Sequence, residues 1–281
     1  MNKESVTEYY DYTLSFYKLL WYRKGGSQGI HYGLWEEGTN SLQEALINTN
    51  KVLADYADLT EQDKVLDAGC GVGGSAIWLA KNYGCNVTGI TISEDQIEEA
   101  RRLAEKEQVQ DKVNFKFDDF TDTDFEDEKF DVVWGIESIC HAEEKLDFIK
   151  EAYRLLKHGG KLVVADGFLA KEPENNREEK IVEDFYEGFA LPGLERFEKF
   201  KEKLFEAGFK NVESHDKTEQ IMPTSKRMYN MARVAYPISI VTEKLRLTSP
   251  ILTKHSLTGL RQYSAFKDGL LKYGIFYAEK A

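Results

Sequence analysis

The sequence predicts a doubly wound α/β fold: a mostly parallel sheet covered by helices on both faces, with helical additions at its start and before its last strand. Two observations carry this prediction. Between Lys64 and Phe168, short runs rich in Val, Ile and Phe alternate with amphipathic stretches of helical period. At the first strand-to-helix junction, "VLDAGCGVGG" (Val65 to Gly74) places four glycines in six positions, from Gly69 to Gly74. That is the composition of a turn whose backbone approaches a ligand closely.

Taken in order, the glycine turn follows a buried strand and leads into "SAIWLAKNYG", a helix that stops at Gly84, where a left-handed residue can end it. "CNVTGI" is a buried strand, "SEDQIEEARRLAEKEQ" a helix, "KVNFKF" and "KFDVVWG" two further strands. A helix over "EKLDFIKEAYRLLK", a turn at "HGG" and the strand "KLVVADGF" continue the pattern. "LERFEKFKEKLFEAGF" is an amphipathic helix ending at Gly208, followed by strands at "KNVESHD" and "LLKYGIFYAEK". Residues 1–55 and the interval from Pro223 to Gly269 break the alternation, and both read as helical. The second is too long for a loop in a compact domain and is predicted to be a lid. The expected organisation is therefore an N-terminal helical cap (1–55), a ligand-binding core (56–222), a lid (223–269) and a last core strand (270–281).

The 281 residues are 42% hydrophobic, enough for a packed core. No apolar run reaches about 18 residues, and "MNKESVTEYYDY" lacks the features of a secretory signal, so a soluble, cytoplasmic protein is expected. With 49 acidic and 37 basic residues the net charge is -12, which repels a polyphosphate backbone and argues against nucleic acid. Cys70, Cys85 and Cys140 show no C-x-x-C pairing and too low a density for a disulfide scaffold, which fits a reducing compartment and no bound metal.

Gly69, Gly71 and Gly74 satisfy G-x-G-x-x-G, while Asp67, Gly69, Gly71 and Gly73 also read as D-x-G-x-G-x-G. A dinucleotide site requires a ribose-binding acid about 20 residues beyond the first glycine. That position falls in "TGITIS", which has none. Asp67 at the strand end would also repel a pyrophosphate. A cationic ligand suits it, and S-adenosylmethionine carries a sulfonium and an ammonium group with no phosphate.

Through "VLDAGCGVGGSAIWLA", "FDDF", "FDVVWGIESICH" and "RLLKHGGKLVVADGF", in that order, the chain resembles the S-adenosylmethionine-dependent methyltransferases of the class I, seven-stranded Rossmann-like type. "HYGLWEEG", "VTGITISEDQ" and "GIESICHAEEK" are similar to the group of sterol and tocopherol C-methyltransferases, small-molecule N-methyltransferases and cyclopropane fatty acid synthases, over residues 5 to 215. The resemblance implies that Thr91, Ile92 and Gln96 line the adenosine in place of the missing acid. Gln96 has a competing role in a capping box with Ser93. It further implies that Asp119, or Asp118 in its stead, accepts from the adenine amino group, that Phe120 packs near the ring, and that Gly135 and Ile136 line the methionine arm. Tyr32 and Gly33 are implied to fold over the cofactor, with Trp35 walling the pocket.

Methyl transfer from a sulfonium is an in-line displacement, so the enzyme chiefly aligns the reactants and excludes water. A base is needed only where the acceptor loses a proton. His141, just after the fourth strand, is the best-placed candidate, with Glu137 its neighbour in the same loop and Tyr32 a further candidate; their competing roles are structural. His158, His215 and His255 read as surface residues. Phe185, Tyr186, Phe189, Tyr229 and Tyr236 recur in the segments expected to wall an apolar or amphipathic acceptor, although an aromatic stripe also serves as plain core. The expected function is methylation of a small natural-product or lipid-like molecule at C, N or O. The alternatives are a non-catalytic S-adenosylmethionine-binding protein and a cyclopropane-type lipid-modifying enzyme. Cyclopropane synthases carry a glutamate immediately before the loop histidine, where this chain has Cys140, which weakens that alternative.

Overall fold

The computed structural model describes residues 6–13 and 28–281. The core is a seven-stranded sheet in the order β3-β2-β1-β4-β5-β7-β6. β1 (Lys64–Ala68), β2 (Asn86–Thr91), β3 (Val113–Phe117), β4 (Phe130–Ile136) and β5 (Leu156–Leu169) run parallel. β7 (Leu271–Lys280) is inserted antiparallel between β5 and β6 (Phe209–Asp216). The strand order reverses between β1 and β4, so the crevice at their carboxyl ends is the place for a ligand in such a sheet.

The helices of the core are α3 (Gly74–Tyr83), α4 (Glu94–Lys106), α5 (Lys145–Leu155) and α7 (Phe197–Glu206). They pack on the sheet because each carries an apolar stripe; α4, for example, buries Ile97, Ala100, Leu103 and Ala104 and leaves its charged residues outside. Trp134 and Tyr273 are the largest fully buried side chains, in neighbouring regions of one hydrophobic cluster. The "HGG" segment is a break within a strand rather than a turn before one. β5 starts at Leu156, slips register between the partners Phe130 and Val132, and accommodates the slip through Gly159 at φ +74°.

The N-terminal part is only partly helical. Residues 6–13 form a helix (α1) and Leu42–Ala57 another (α2), but residues 28–40 run as an extended strap between them and across the sheet end. α2 starts where Ser41 Oγ accepts from the Glu44 amide. The interval before β7 consists of α8 (Thr218–Lys244) and α9 (Pro250–Lys267), which pack on each other, and α9 also packs on α6 (Asn176–Gly188). The approach is close at Gly188, where a Cβ would overlap Thr258, and at Gly259, where it would lie 2.8 Å from Ala232. No helix among the described residues is long and apolar enough to cross a membrane.

Gly73 caps α3 at φ +78°, and a Cβ there would lie 2.5 Å from the Phe115 ring. Gly73→Ala combines left-handed strain with a steric overlap and is expected to destabilise the fold by about 2 kcal/mol or more. Chemical denaturation of the variant against the parent measures it; an unchanged midpoint would contradict the packing described.

Candidate active site

At the carboxyl ends of β1, β2 and β4 lies a cavity of about 690 Å³, lined by the glycine turn, by Thr91 to Ser93, by Asp118 to Thr121 and by Ile136 to Ser138. Its floor follows from the turn chemistry. Gly69 and Cys70 donate their amides to the Ile90 carbonyl, bringing the turn over the end of β2. Gly71 has φ +53° and no neighbour within 4 Å of a Cβ placed there, so its backbone faces open space. Asp67 is buried at the end of β1. Burial pushes its carboxyl up to about 7, and its Oδ2 has no hydrogen-bond partner among the described residues. A buried carboxylate oxygen without a donor, at the wall of a cavity, fits a ligand that brings cationic or hydroxyl donors.

Of the residues expected to hold the cofactor, Asp67, Gly69, Gly71, Thr91, Ile92, Gln96, Asp119, Phe120 and Ile136 line this cavity. Thr91 Oγ1 donates to Gln96 Oε1 at 2.7 Å, while the Gln96 amide bonds Ser93 Oγ at 3.2 Å. Ser93 therefore caps α4, but the Gln96 side chain turns to Thr91 instead of closing the capping box. Asp119 Oδ1 accepts from the amide and hydroxyl of Thr121, and Phe120 meets Phe148 edge to face. The remaining glycines have other work. Gly73 makes room for Phe115, Gly135 for Ile139, and Gly33 for the backbone of Ala45 and Leu46 in α2; none of the three lines the cavity.

α1 and the strap cover the opening. Ser93 Oγ donates to Asp11 and Thr7 Oγ1 to the Ile92 carbonyl, which seats α1 on the β2–α4 turn. A side chain at Gly74 would overlap the backbone of Gln28 and Gly29, so the strap passes directly over the start of α3.

A second, smaller cavity of about 80 Å³ adjoins the first. Phe185, Phe189, Leu191, Leu194, Met228 and Phe266 give it an aromatic and aliphatic lining. Five residues line both cavities: Tyr10, Ile30, His31, Glu137 and His141. His141 Nε2 lies 2.8 Å from the Tyr10 hydroxyl, and burial holds its imidazole down at about 4 against the opposing Ala190 backbone. It is therefore neutral at physiological pH. Glu137 Oε1 accepts from the Tyr32 amide at 2.6 Å and from the Tyr273 hydroxyl at 2.9 Å; burial raises its carboxyl to about 8.

Several expectations are corrected by these contacts. Tyr32 reaches only the small cavity with its ring, and its hydroxyl donates to Gln262 of α9, away from the reacting region. Trp35 Nε1 donates to Thr224 of α8 and walls neither cavity. Phe185 and Phe189 line the small cavity, but Tyr186 does not, and Tyr229 packs on Tyr263. Tyr236 lines neither cavity, and its backbone carbonyl accepts from Ser239. His255 is no surface residue: its Nδ1 lies 2.8 Å from the Tyr9 hydroxyl, and its ring meets Phe189. His31, which lines both cavities, was not singled out by the sequence. Tyr10, Asp166 and Tyr273 also come to the site from distant segments, without any local signal.

With this geometry in view, the comparisons with known proteins are specific. A methyltransferase-domain family model matches residues 66–164. The methyltransferase GfsG of Streptomyces halstedii is 31% identical over 221 residues, covering 78% of this chain and 77% of that protein. The chain belongs to the methyltransferase family. Another such methyltransferase, the 27-O-demethylrifamycin SV methyltransferase of Amycolatopsis mediterranei, is 32% identical over 70% of this chain and 72% of its own. In fold the chain is similar to the cyclopropane synthase MmaA2 of Mycobacterium tuberculosis, with a TM-score of 0.85 over 99% and 98% of the two chains at 17% identity. The present chain uses S-adenosylmethionine.

Between pH 6.5 and 8 the folded chain binds more protons than the unfolded one, because Asp67 and Glu137 titrate near 7 and 8 when folded but near 4 when unfolded. His31, His141 and His255 titrate near 4 when folded and act only below about 6.5. The ligand-free protein is therefore expected to lose stability as pH rises from 6.5 to 8, and Glu137→Gln to flatten that slope. Melting temperatures across the window measure this; a melting temperature that climbs toward pH 8 would contradict it.

Proposed function

We propose that the enzyme methylates a hydroxyl group on a small apolar or amphipathic molecule, with His141 receiving the hydroxyl proton. The observation that carries this reading is the junction of the two cavities. The polar one presents Asp67, Thr91, Gln96 and Asp119; the aromatic one suits an apolar acceptor; and His141 stands where they meet. When bound, S-adenosylmethionine supplies the electrophilic methyl group. His141 is neutral and is positioned by Tyr10, while Glu137 holds the strap and the last strand in place around it. The displacement requires donor carbon and acceptor in line, which the covered crevice provides by excluding water and restricting approach.

The small cavity is about half the size of one known to hold benzene, roughly 150 Å³. It accepts only the reacting end of an acceptor, and the rest enters as the lid moves. We read residues 223–269 as that lid, extended at its start to Thr218 by α8, and residues 1–55 as the cap. The related rifamycin enzyme, named for an O-demethylated substrate, supports an oxygen acceptor. Three buried free thiols, Cys70, Cys85 and Cys140, suit a cytoplasmic setting.

Production of S-adenosylhomocysteine from a panel of phenols, quinols, sterols and isoprenoid alcohols, against amines and alkenes, tests the acceptor class; turnover on amines or alkenes alone would overturn it. Asp67→Ala is expected to weaken S-adenosylmethionine binding at least tenfold by calorimetry. His141→Ala should instead lower kcat by about 10²-fold or more with little change in cofactor Kd, the range for loss of a general base. Normal turnover in that variant would reduce His141 to a structural residue.

A further inference from the structure

The outward face of α8 is apolar where a solvent-facing helix is ordinarily polar. Val234, Ile238, Val241 and Leu245 are each more than half exposed, and Leu247, just beyond the helix end, is 71% exposed. Spacings of four, three and four put the first four on a single stripe, about 16 Å long at 1.5 Å per residue. The opposite face of the helix buries Ala232 and Ser239, and its Met228 lines the aromatic cavity.

Charge complements the stripe. Arg227, Arg233, Lys244 and Arg246 are exposed around it, and none forms an ion pair among the described residues. Arg227 lies seven residues before Val234 and continues the stripe; Arg233 and Lys244, eleven apart, run alongside it. This is a basic patch on a chain whose net charge is -12. Repulsion from the acidic remainder is screened beyond about 8–10 Å at physiological salt, so the local patch governs close contact.

We propose that this face of α8 docks the enzyme on an anionic lipid surface, lying flat with its valine, isoleucine and leucine side chains among the acyl chains and its basic residues at the headgroups. A second copy of the chain is a poor occupant, because a two-fold contact through this face would bring cation against cation. Docking stands whether or not the acceptor is a hydroxyl compound. If the acceptor is lipid-like, the arrangement places the lid, and thus the entry to the aromatic cavity, at the surface that supplies it.

Flotation of the full chain with vesicles tests the proposal, using phosphatidylcholine alone and an equimolar mixture with phosphatidylglycerol. Partition is expected onto the anionic vesicles only, and to fall with added salt. Arg233→Gln with Lys244→Gln should reduce it about 25-fold, or fivefold per residue for about 1 kcal/mol each. Val234→Ser with Ile238→Ser and Val241→Ser should abolish it. Both variants alter exposed positions outside the cavities and should keep the parent affinity for S-adenosylmethionine. No partition of the parent onto anionic vesicles, or partition that both variants retain, overturns the proposal. So does a dimer in solution that the serine variant dissociates, which would assign the face to self-association, or vesicle-independent capture of an acidic protein through it.

Discussion

The Glu137 carboxyl group lies where the end of β4, the strap and the last strand converge, and burial keeps it largely protonated at neutral pH. A carboxyl group left there without hydrogen-bond partners would cost free energy. Two donors answer it: the Tyr32 amide from the strap and the Tyr273 hydroxyl from β7. The backbone takes φ +49° at Glu137, unusual for a residue with a Cβ, and its amide still bonds Ala165 of β5. Strain at this point is held by the neighbouring strands and lets the chain turn sharply into the short helix that carries His141. Pinning the Tyr32 amide also fixes the direction of its side chain, whose hydroxyl reaches Gln262, and Gln262 in turn is bonded to Ser225 of α8. One carboxyl group thereby links the strap, the sheet and the helices α8 and α9 in a single chain of hydrogen bonds.

The position of His141 depends on a second buried network. Ser138 Oγ donates to the Ala68 carbonyl, tying the loop to the end of β1, and the Cys140 amide donates to Asp166 on β5. Lys145, buried at the start of α5, donates to the carbonyls of Cys140, Ala142 and Gly193. Three carbonyls around one ammonium explain how this lysine is kept inside the protein although burial pulls its pKa down. The loop that carries His141 is thus held from both sides.

The strands and the core helices were legible because each repeats a simple period, and the glycine turn because positive φ demands glycine at Gly69, Gly71 and Gly73. Their separate duties were not: only a three-dimensional neighbour distinguishes Gly71, which faces the cavity, from Gly73, which faces Phe115. Within "HYGLW", His31 lines both cavities, Tyr32 bonds Glu137 through its amide and α9 through its hydroxyl, and Trp35 bonds α8, a division that the segment's pattern does not show. His255 reads as polar and external from its neighbours in sequence; the aromatic rings that enclose it come from α1 and α6. Contacts between segments more than a hundred residues apart, such as Tyr10 with His141, carry no local periodicity at all.

The same connections tie the coverings of the two cavities together. The strap crosses the start of α3 at Gly74, and α1 is bonded to the β2–α4 turn, so the large cavity is closed by the N-terminal segments. The small cavity is closed by α6, α8 and α9. These covers are separate elements, but Thr224 of α8 bonds Gly33 and Trp35 of the strap, and Tyr32 reaches α9. The coverings of the two cavities are therefore hydrogen-bonded to each other, through Thr224 on one side and Tyr32 on the other.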